Sequence, residues 1–296
     1  MKKLTTKFIS RLTCLLLASL FPCGSAMAEK SPPPLLGENR IVTTEAGVSL
    51  MELAILSGVG FQNLLNANPG IDPWVPNPGA QVVIPKQAIF PGTPATGLTI
   101  NLAELRIFHL AGTSLTGTTS FYPLGIGRAG WETPEGEFRL IEKVENPFWR
   151  IPQGIKEENP ELPDFIPPGP NNPLGKYWLG LSVPGYGLHG TNKPYGVGRR
   201  VSHGCIRLYD QDIRMLYQTV DPGEKVRIVY LPVKATSIGR ALFLEVHPDY
   251  LNRFPDLFQE ALRQISRLGW NGQVSYERVL AVVSEQRGLP ETVGQR

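Results

Sequence analysis

Gly187-Leu188-His189-Gly190-Thr191-Asn192, followed six residues later by Arg199-Arg200-Val201-Ser202-His203-Gly204-Cys205-Ile206-Arg207-Leu208, is the stretch that decides how this chain reads. Two of its four histidines and one of its three cysteines fall between His189 and Cys205. A thiol attacks a carbonyl carbon as the thiolate, so it needs a base or a positive charge close by. Either histidine can supply it. His203, two residues from Cys205, projects on the same side if the backbone is extended, whereas His189 reaches the thiol from the preceding strand. Gly204 has a matching use, because a residue without a side chain lets backbone amides approach a carbonyl oxygen that becomes an oxyanion. The spacing predicts acyl transfer. A zinc site on His189, His203 and Cys205 is the rival, but no second cysteine or well-placed carboxylate completes the ligand set. No metal and no cofactor is expected.

Around this stretch the pattern is of short strands. Leu105, Ile107 and His109 alternate with Arg106, Phe108 and Leu110, and further strands are predicted over 136–141, 177–181 and 225–230. Eight prolines between 147 and 173 exclude a regular element there, and so long a connection predicts an ordered loop that forms a lid or substrate wall. His109 and His247 are read as structural. The last 60 residues are helical in pattern, with one apolar face from Leu257 to Leu268 and a second helix after Ser275, and 234–296 is expected to be a helical extension.

Toward the N-terminus, Ser49-Leu50-Met51-Glu52 has capping-box spacing. Gly58-Val59-Gly60 breaks that helix, a second covers about 61–67, and 81–84 is a strand, which makes 39–90 a small βααβ unit. Pro91-Gly92-Thr93-Pro94 signals a linker, and Pro32-Pro33-Pro34 a proline-rich lead. The first 28 residues have a cationic start, an apolar run from Leu12 to Phe21 and the small-residue end Ala26-Met27-Ala28, as in a cleaved secretory signal peptide. The apolar run is shorter than the ~20 residues of a bilayer-spanning helix, so an exported protein without a transmembrane anchor is expected, and Cys205 is its one remaining cysteine. Without that segment 25 Lys and Arg stand against 26 Asp and Glu, a formal balance of −1. Charge therefore gives no reason to expect nucleic acid.

Ser202-His203-Gly204-Cys205-Ile206-Arg207, preceded by His189-Gly190, resembles the signature of the L,D-transpeptidase catalytic domain, the YkuD family. Thr133-Pro134-Glu135-Gly136-Glu137-Phe138 and Asn172-Pro173-Leu174-Gly175 are further family-like pieces, so the resemblance spans 96–233. Asn66-Ala67-Asn68-Pro69-Gly70 and Val83-Ile84-Pro85 likewise make 39–90 similar to a LysM domain, a module that binds cell-wall glycan, although Ala46-Gly47-Val48-Ser49 departs from the usual opening. The fold implied is α+β: a β-rich catalytic sandwich, the small βααβ unit and the C-terminal helices. The resemblance makes Cys205 the nucleophile, His189 the proton acceptor and donor and His203 supporting. Gly190 would orient the His189 ring through its carbonyl, and amides around Gly204 and Cys205 would form the oxyanion hole. Arg207, Ser202, Thr191 and Arg199 are the candidate substrate contacts. The order of segments resembles a periplasmic subgroup that joins an outer-membrane lipoprotein to peptidoglycan, which implies stem peptides and glycan as partners and a lipoprotein lysine as acceptor. Cross-linking to a second stem peptide, D-alanine removal, hydrolysis of an existing linkage and a non-catalytic wall-binding role stay open.

Overall fold

The computed structural model describes residues 34–92, 97–110 and 119–296. The expected signal segment, Pro32 and Pro33 of the proline-rich lead, and Thr93 and Pro94 of the linker lie outside the described residues. Near the N-terminus, Ser49 Oγ accepts from the Glu52 amide at 3.2 Å, and Glu52 Oε2 accepts from the Ser49 amide at 2.8 Å, so two amides that the helix start would orphan are satisfied. Helix α1 (Leu50–Ser57) follows, and Gly58, at φ 62°, ends it in a left-handed turn that favours glycine. Helix α2 (Phe61–Ala67) comes next. Strands Arg40–Thr43 and Gln81–Ile84 pair antiparallel beside the helices, and Leu50, Ala54, Leu64 and Val82 are fully buried between them. Gly198, at φ 77°, brings this unit against the rest of the protein: a β-carbon there would lie 2.2 Å from the Phe61 nitrogen. The Gln62 amide donates to the Gly198 carbonyl at 3.2 Å, and the Tyr209 hydroxyl donates to Val59 O at 3.0 Å.

The main sheet has eight strands in the order Ile206–Arg207, Gly187–His189, Tyr177–Leu181, Gly136–Glu145, Lys225–Val229, Gly97–Asn101, Arg106–Leu110 and Thr119–Pro123. Two neighbouring pairs are parallel, the one that carries His189 beside Arg207 and the one joining Val226 to Leu98; the rest are antiparallel. Two residues beyond the last strand, Gly125 exchanges both backbone hydrogen bonds with Arg207 of the first, at 2.8 Å each. Two residues reach no more than ~7 Å, so the sheet curls until its edges meet around a core that includes Ile100, Ile107, Leu140, Leu179, Leu188 and Ile206. Helix α4 (Asp210–Thr219) adds Ile213 and Leu216 to that core. Strand 106–110 is buried on both faces, unlike the one-sided alternation the sequence suggests, because Phe108 packs with Leu36 and Ala88 on the side away from the main core.

Helix α3 (Gln153–Glu158) and the short pair Trp149–Arg150 with Phe165–Ile166 give order to the proline-rich segment. At its base the buried Asn172 side chain donates to Pro147 O at 2.8 Å and accepts from the Leu174 amide at 2.9 Å.

The C-terminal part differs from the all-helical expectation. Helices α5 (Leu257–Arg267) and α6 (Tyr276–Glu285) are present, but they pack on a four-stranded antiparallel sheet ordered Val233–Ile238, Ala241–Val246, Glu291–Gln295, Gln273–Val274. Leu242, Leu244 and Val246 are buried at every second position, the period of a strand with one apolar face.

A cluster of buried charges joins the three parts. Lys234 Nζ lies 2.8 Å from both Glu104 oxygens, 3.2 Å from Glu245 Oε2 and 2.7 Å from Ile89 O. Arg106 reaches Glu245 Oε1 at 3.1 Å and Pro85 O at 2.9 Å, and His247 Nε2 lies 2.8 Å from Glu245 Oε1. Burial pushes the Glu245 carboxyl up, but Lys234, His247 and Arg106 hold it down to about 2. Among the described residues, Glu104, Glu245 and His247 are a group whose spacing suits a metal ion. The Lys234 ammonium already supplies positive charge between the two carboxylates.

Candidate active site

His189 ends strand Gly187–His189, paired across the sheet with Trp178 and, on its other side, in register with Arg207. Its ring is buried, with Nδ1 2.6 Å from the Gly190 carbonyl oxygen. A carbonyl only accepts, so this contact assigns the proton to Nδ1 and leaves Nε2 without a protein partner among the described residues. Burial, reinforced by the Arg207 charge and opposed by the Gly190 bond, lowers the His189 pKa from 6.5 to about 4. The imidazole is therefore neutral at neutral pH.

Cys205 lies just before strand Ile206–Arg207, half-buried, with Sγ donating to Gly185 O at 3.4 Å. Burial raises its pKa, while a hydrogen bond from the Gly187 backbone and the Arg207 charge act the other way. The resting pair is thus thiol and neutral imidazole.

The chain from Ser202 to Cys205 bends where the sequence reading allowed an extended backbone. Gly204 sits at φ 101°, and a β-carbon there would lie 2.6 Å from a ring carbon of Tyr186. The Thr133 hydroxyl donates to the Gly204 carbonyl at 2.7 Å, which fixes the peptide plane before Cys205. The Gly204 amide donates to Ser202 Oγ at 3.2 Å, and that hydroxyl donates to the Cys205 carbonyl at 2.5 Å. The Ser202 hydroxyl is engaged within the turn, and of the two amides expected to meet an oxyanion the Gly204 N–H is bonded to it. The Cys205 N–H has no protein acceptor among the described residues.

His203, on the same bend, meets partners from distant parts of the chain. His203 Nε2 lies 2.9 Å from Glu158 Oε2 and 3.2 Å from Arg128, and its ring meets Trp131 edge-on at 4.9 Å. The Glu158 carboxyl is lowered chiefly by its bond to His203; desolvation opposes this, and Trp131 and Arg128 assist it.

Cys205, His189, Arg207, Ser202, His203 and Thr191 all border one cleft of about 900 Å³. Its other wall is the proline-rich segment, with Phe148, Trp149, Ile155, Leu162 and Ile166 facing in, as the wall reading expects. Arg207 is mostly buried, its Nε has no hydrogen-bond partner among the described residues, and burial lowers its pKa. The Thr191 amide donates to Asp210 Oδ1 and its Oγ1 accepts from the Lys193 amide, both at 3.0 Å, which leaves the hydroxyl proton to donate. Arg199 is exposed and does not line the cleft; its carbonyl accepts from the Ile126 amide at 3.0 Å. His109 and His247 are buried away from the cleft.

Sequence reading missed several supports. The Trp178 indole stacks on His189 at 6.0 Å, donates to Glu142 Oε1 at 2.8 Å, and lies where a side chain on Gly187 would intrude at 2.5 Å. Thr133, Tyr186, Arg128, Trp131 and Glu158 carry no local signal for their roles, since each meets its partner far along the chain.

A thiol, a neutral imidazole and an unpaired guanidinium sharing one walled cleft have the layout of an enzyme. The catalytic-domain model of the L,D-transpeptidases, YkuD, matches residues 95–228. The chain is 40% identical over 232 residues to the probable L,D-transpeptidase YcfS of Escherichia coli K12, covering 75% of this chain and 72% of that one. To the probable L,D-transpeptidase ErfK/SrfK of the same strain it is 38% identical over 295 residues, covering 92% and 93%. To the probable L,D-transpeptidase YbiS of that strain it is 36% identical over 238 residues, covering 76% and 77%. The chain belongs to the L,D-transpeptidase family, and it is an enzyme of that class. Among the described residues no helix is long and apolar enough to cross a membrane.

Proposed function

We propose that this enzyme forms a thioester between Cys205 and a peptidoglycan stem tetrapeptide and passes the acyl group to an amine. Cys205 Sγ attacks the carbonyl of the third residue while His189 Nε2 takes the thiol proton. The same imidazole then protonates the leaving D-alanine amine, the C–N bond breaks, and the acyl group stays on sulfur. An acceptor amine next attacks the thioester, gives its proton to His189, and the thiolate leaves with that proton. The Gly190 carbonyl holds the tautomer, the part a carboxylate plays in other triads. The Cys205 amide donates to the oxyanion, and Arg207 and Thr191 receive the peptide's carboxylate and polar groups. His203 is supporting.

One observation carries this reading: Cys205 and His189 open into the same cleft, with Nε2 unengaged, beside the mostly buried Arg207 guanidinium, which has no carboxylate partner among the described residues. We place the protein in the periplasm after removal of residues 1–28, with a lipoprotein C-terminal lysine as acceptor and 39–90 as a LysM-like unit that holds glycan. The order of these segments along the chain supports those assignments. The test is mass spectrometry of products from the mature protein and its Cys205→Ala variant, given tetrapeptide-bearing wall fragments and a lysine-ended peptide. Cysteine-dependent peptide–muropeptide conjugates are the expected result. Muropeptide dimers or tripeptides would move the acceptor to a second stem peptide or water, and unchanged masses would overturn acyl transfer.

A further inference from the structure

Helix α3 is only six residues long, buries none of them and has no side-chain cap at its start. An isolated helix of that length does not hold itself together in water. Its position must be imposed from outside, and one face shows how. Gly154 and Glu158 are one turn apart and therefore on the same side. A β-carbon on Gly154 would lie 2.5 Å from Cη2 of Trp131, so the indole is seated on the helix where the missing side chain leaves room. The same indole donates through Nε1 to Glu158 Oε1 at 2.9 Å. Glu158 also takes Arg128 on both oxygens at 2.5 Å and meets His203 Nε2 at 2.9 Å. His203 is two residues from the thiol. Glu158 thus connects the proline-rich wall to the turn that presents Cys205, while Asn172 ties down only the base of that wall.

We propose that Glu158 is a positioning residue for the transfer reaction: with Gly154 it docks α3 onto Trp131 and His203, holds the wall 147–173 beside the Ser202–Cys205 turn, and so sets the width of the cleft that receives the peptide donor. This rests on the proposed function above. Glu158 itself stays out of the chemistry.

The test compares Glu158→Ala, Glu158→Gln and Gly154→Ala in the full mature protein by amide hydrogen exchange and by donor-peptide kinetics. In Glu158→Ala, exchange across 147–173 should quicken at least about tenfold, and KM should rise about tenfold while kcat stays within about twofold. Glu158→Gln should fall between that variant and wild type, because the amide keeps a hydrogen bond but loses the charge. Gly154→Ala should loosen the wall as well, although a glycine-to-alanine change inside a helix ordinarily favours it. Unchanged exchange in Glu158→Ala overturns the proposal, as does a fall in kcat at constant KM, which would put Glu158 in the chemistry through His203. If wild type turns over no peptide, the proposed function fails, and the exchange comparison still decides the docking of the wall.

Discussion

Replacing Lys234 by Met keeps most of the side-chain volume and removes one charge from the buried cluster. Lys234 Nζ makes two 2.8 Å contacts with Glu104, one of 3.2 Å with Glu245 and a 2.7 Å bond to Ile89 O, all of which are lost. Arg106 stays, but it lies 3.4 Å from Glu104 and 3.1 Å from Glu245, and it must then serve two buried carboxylates. Breaking a buried ion pair from one side costs about 3–5 kcal/mol. Because Arg106 and the Asn101 amide, 2.7 Å from Glu104 Oε1, still compensate in part, the lower end applies, about 3 kcal/mol. For a chain of this size that corresponds to a fall in Tm of about 6–12 °C. Thermal and urea unfolding followed by circular dichroism would measure it. The double variant Lys234→Met, Glu104→Gln should recover most of the loss, since the Arg106 charge is then matched by Glu245 alone, 3.1 Å away. A loss below about 1 kcal/mol, or a double variant no more stable than the single, would refute the role of Lys234 in joining the three parts.

Three further outcomes follow from the site and its surroundings. Donor acylation should stay level as pH falls from neutrality and collapse only through about pH 4, where His189 gains its proton. Between 6.5 and about 4 the unfolded chain protonates this histidine and the folded protein does not, so stability should drop across that window by about 3 kcal/mol, and His189→Gln should flatten the slope in urea midpoints. Asp212 works in the opposite sense: burial raises its pKa from 3.8 to about 7, opposed by Lys86, and its Oδ2 has no hydrogen-bond partner among the described residues. The folded state then holds a proton that the unfolded chain releases, stability falls as pH rises from 3.8 through 7, and Asp212→Asn should raise Tm at pH ~8 but not at pH ~4. Gly204→Ala should slow alkylation of Cys205 and acyl transfer about a hundredfold, because the new methyl meets Tyr186 and the left-handed turn relaxes; rates within about twofold of wild type would contradict the role given to that bend.

The pair His189 and Cys205 was legible because the groups that mark it lie within one short stretch and carry rare side chains. Helices α1 and α6 are legible for a similar reason: their start signals, Ser49 with Glu52 and Ser275, act over three or four residues. What failed to show are contacts made at long range. Lys234 meets Glu104 and Glu245 meets Ile89 across more than a hundred residues, and nothing near Lys234 announces a buried cation. The C-terminal sheet was hidden by the stronger apolar stripe of α5, although the Leu242, Leu244, Val246 alternation was present and points to a strand. Same-side projection of His203 and Cys205 holds for extended backbone only, and Gly204, at φ 101°, interrupts it.

The central claim is that Cys205 carries the acyl group and His189 moves the proton. Intact-mass measurement after incubating the mature protein with a tetrapeptide donor, without acceptor amine, tests it most directly. A mass gain equal to the donor less D-alanine is predicted for wild type, absent in Cys205→Ala and His189→Ala and retained in part by His203→Ala. Acylation of Cys205→Ala, or of His189→Ala at the wild-type rate with the fold intact, would contradict it.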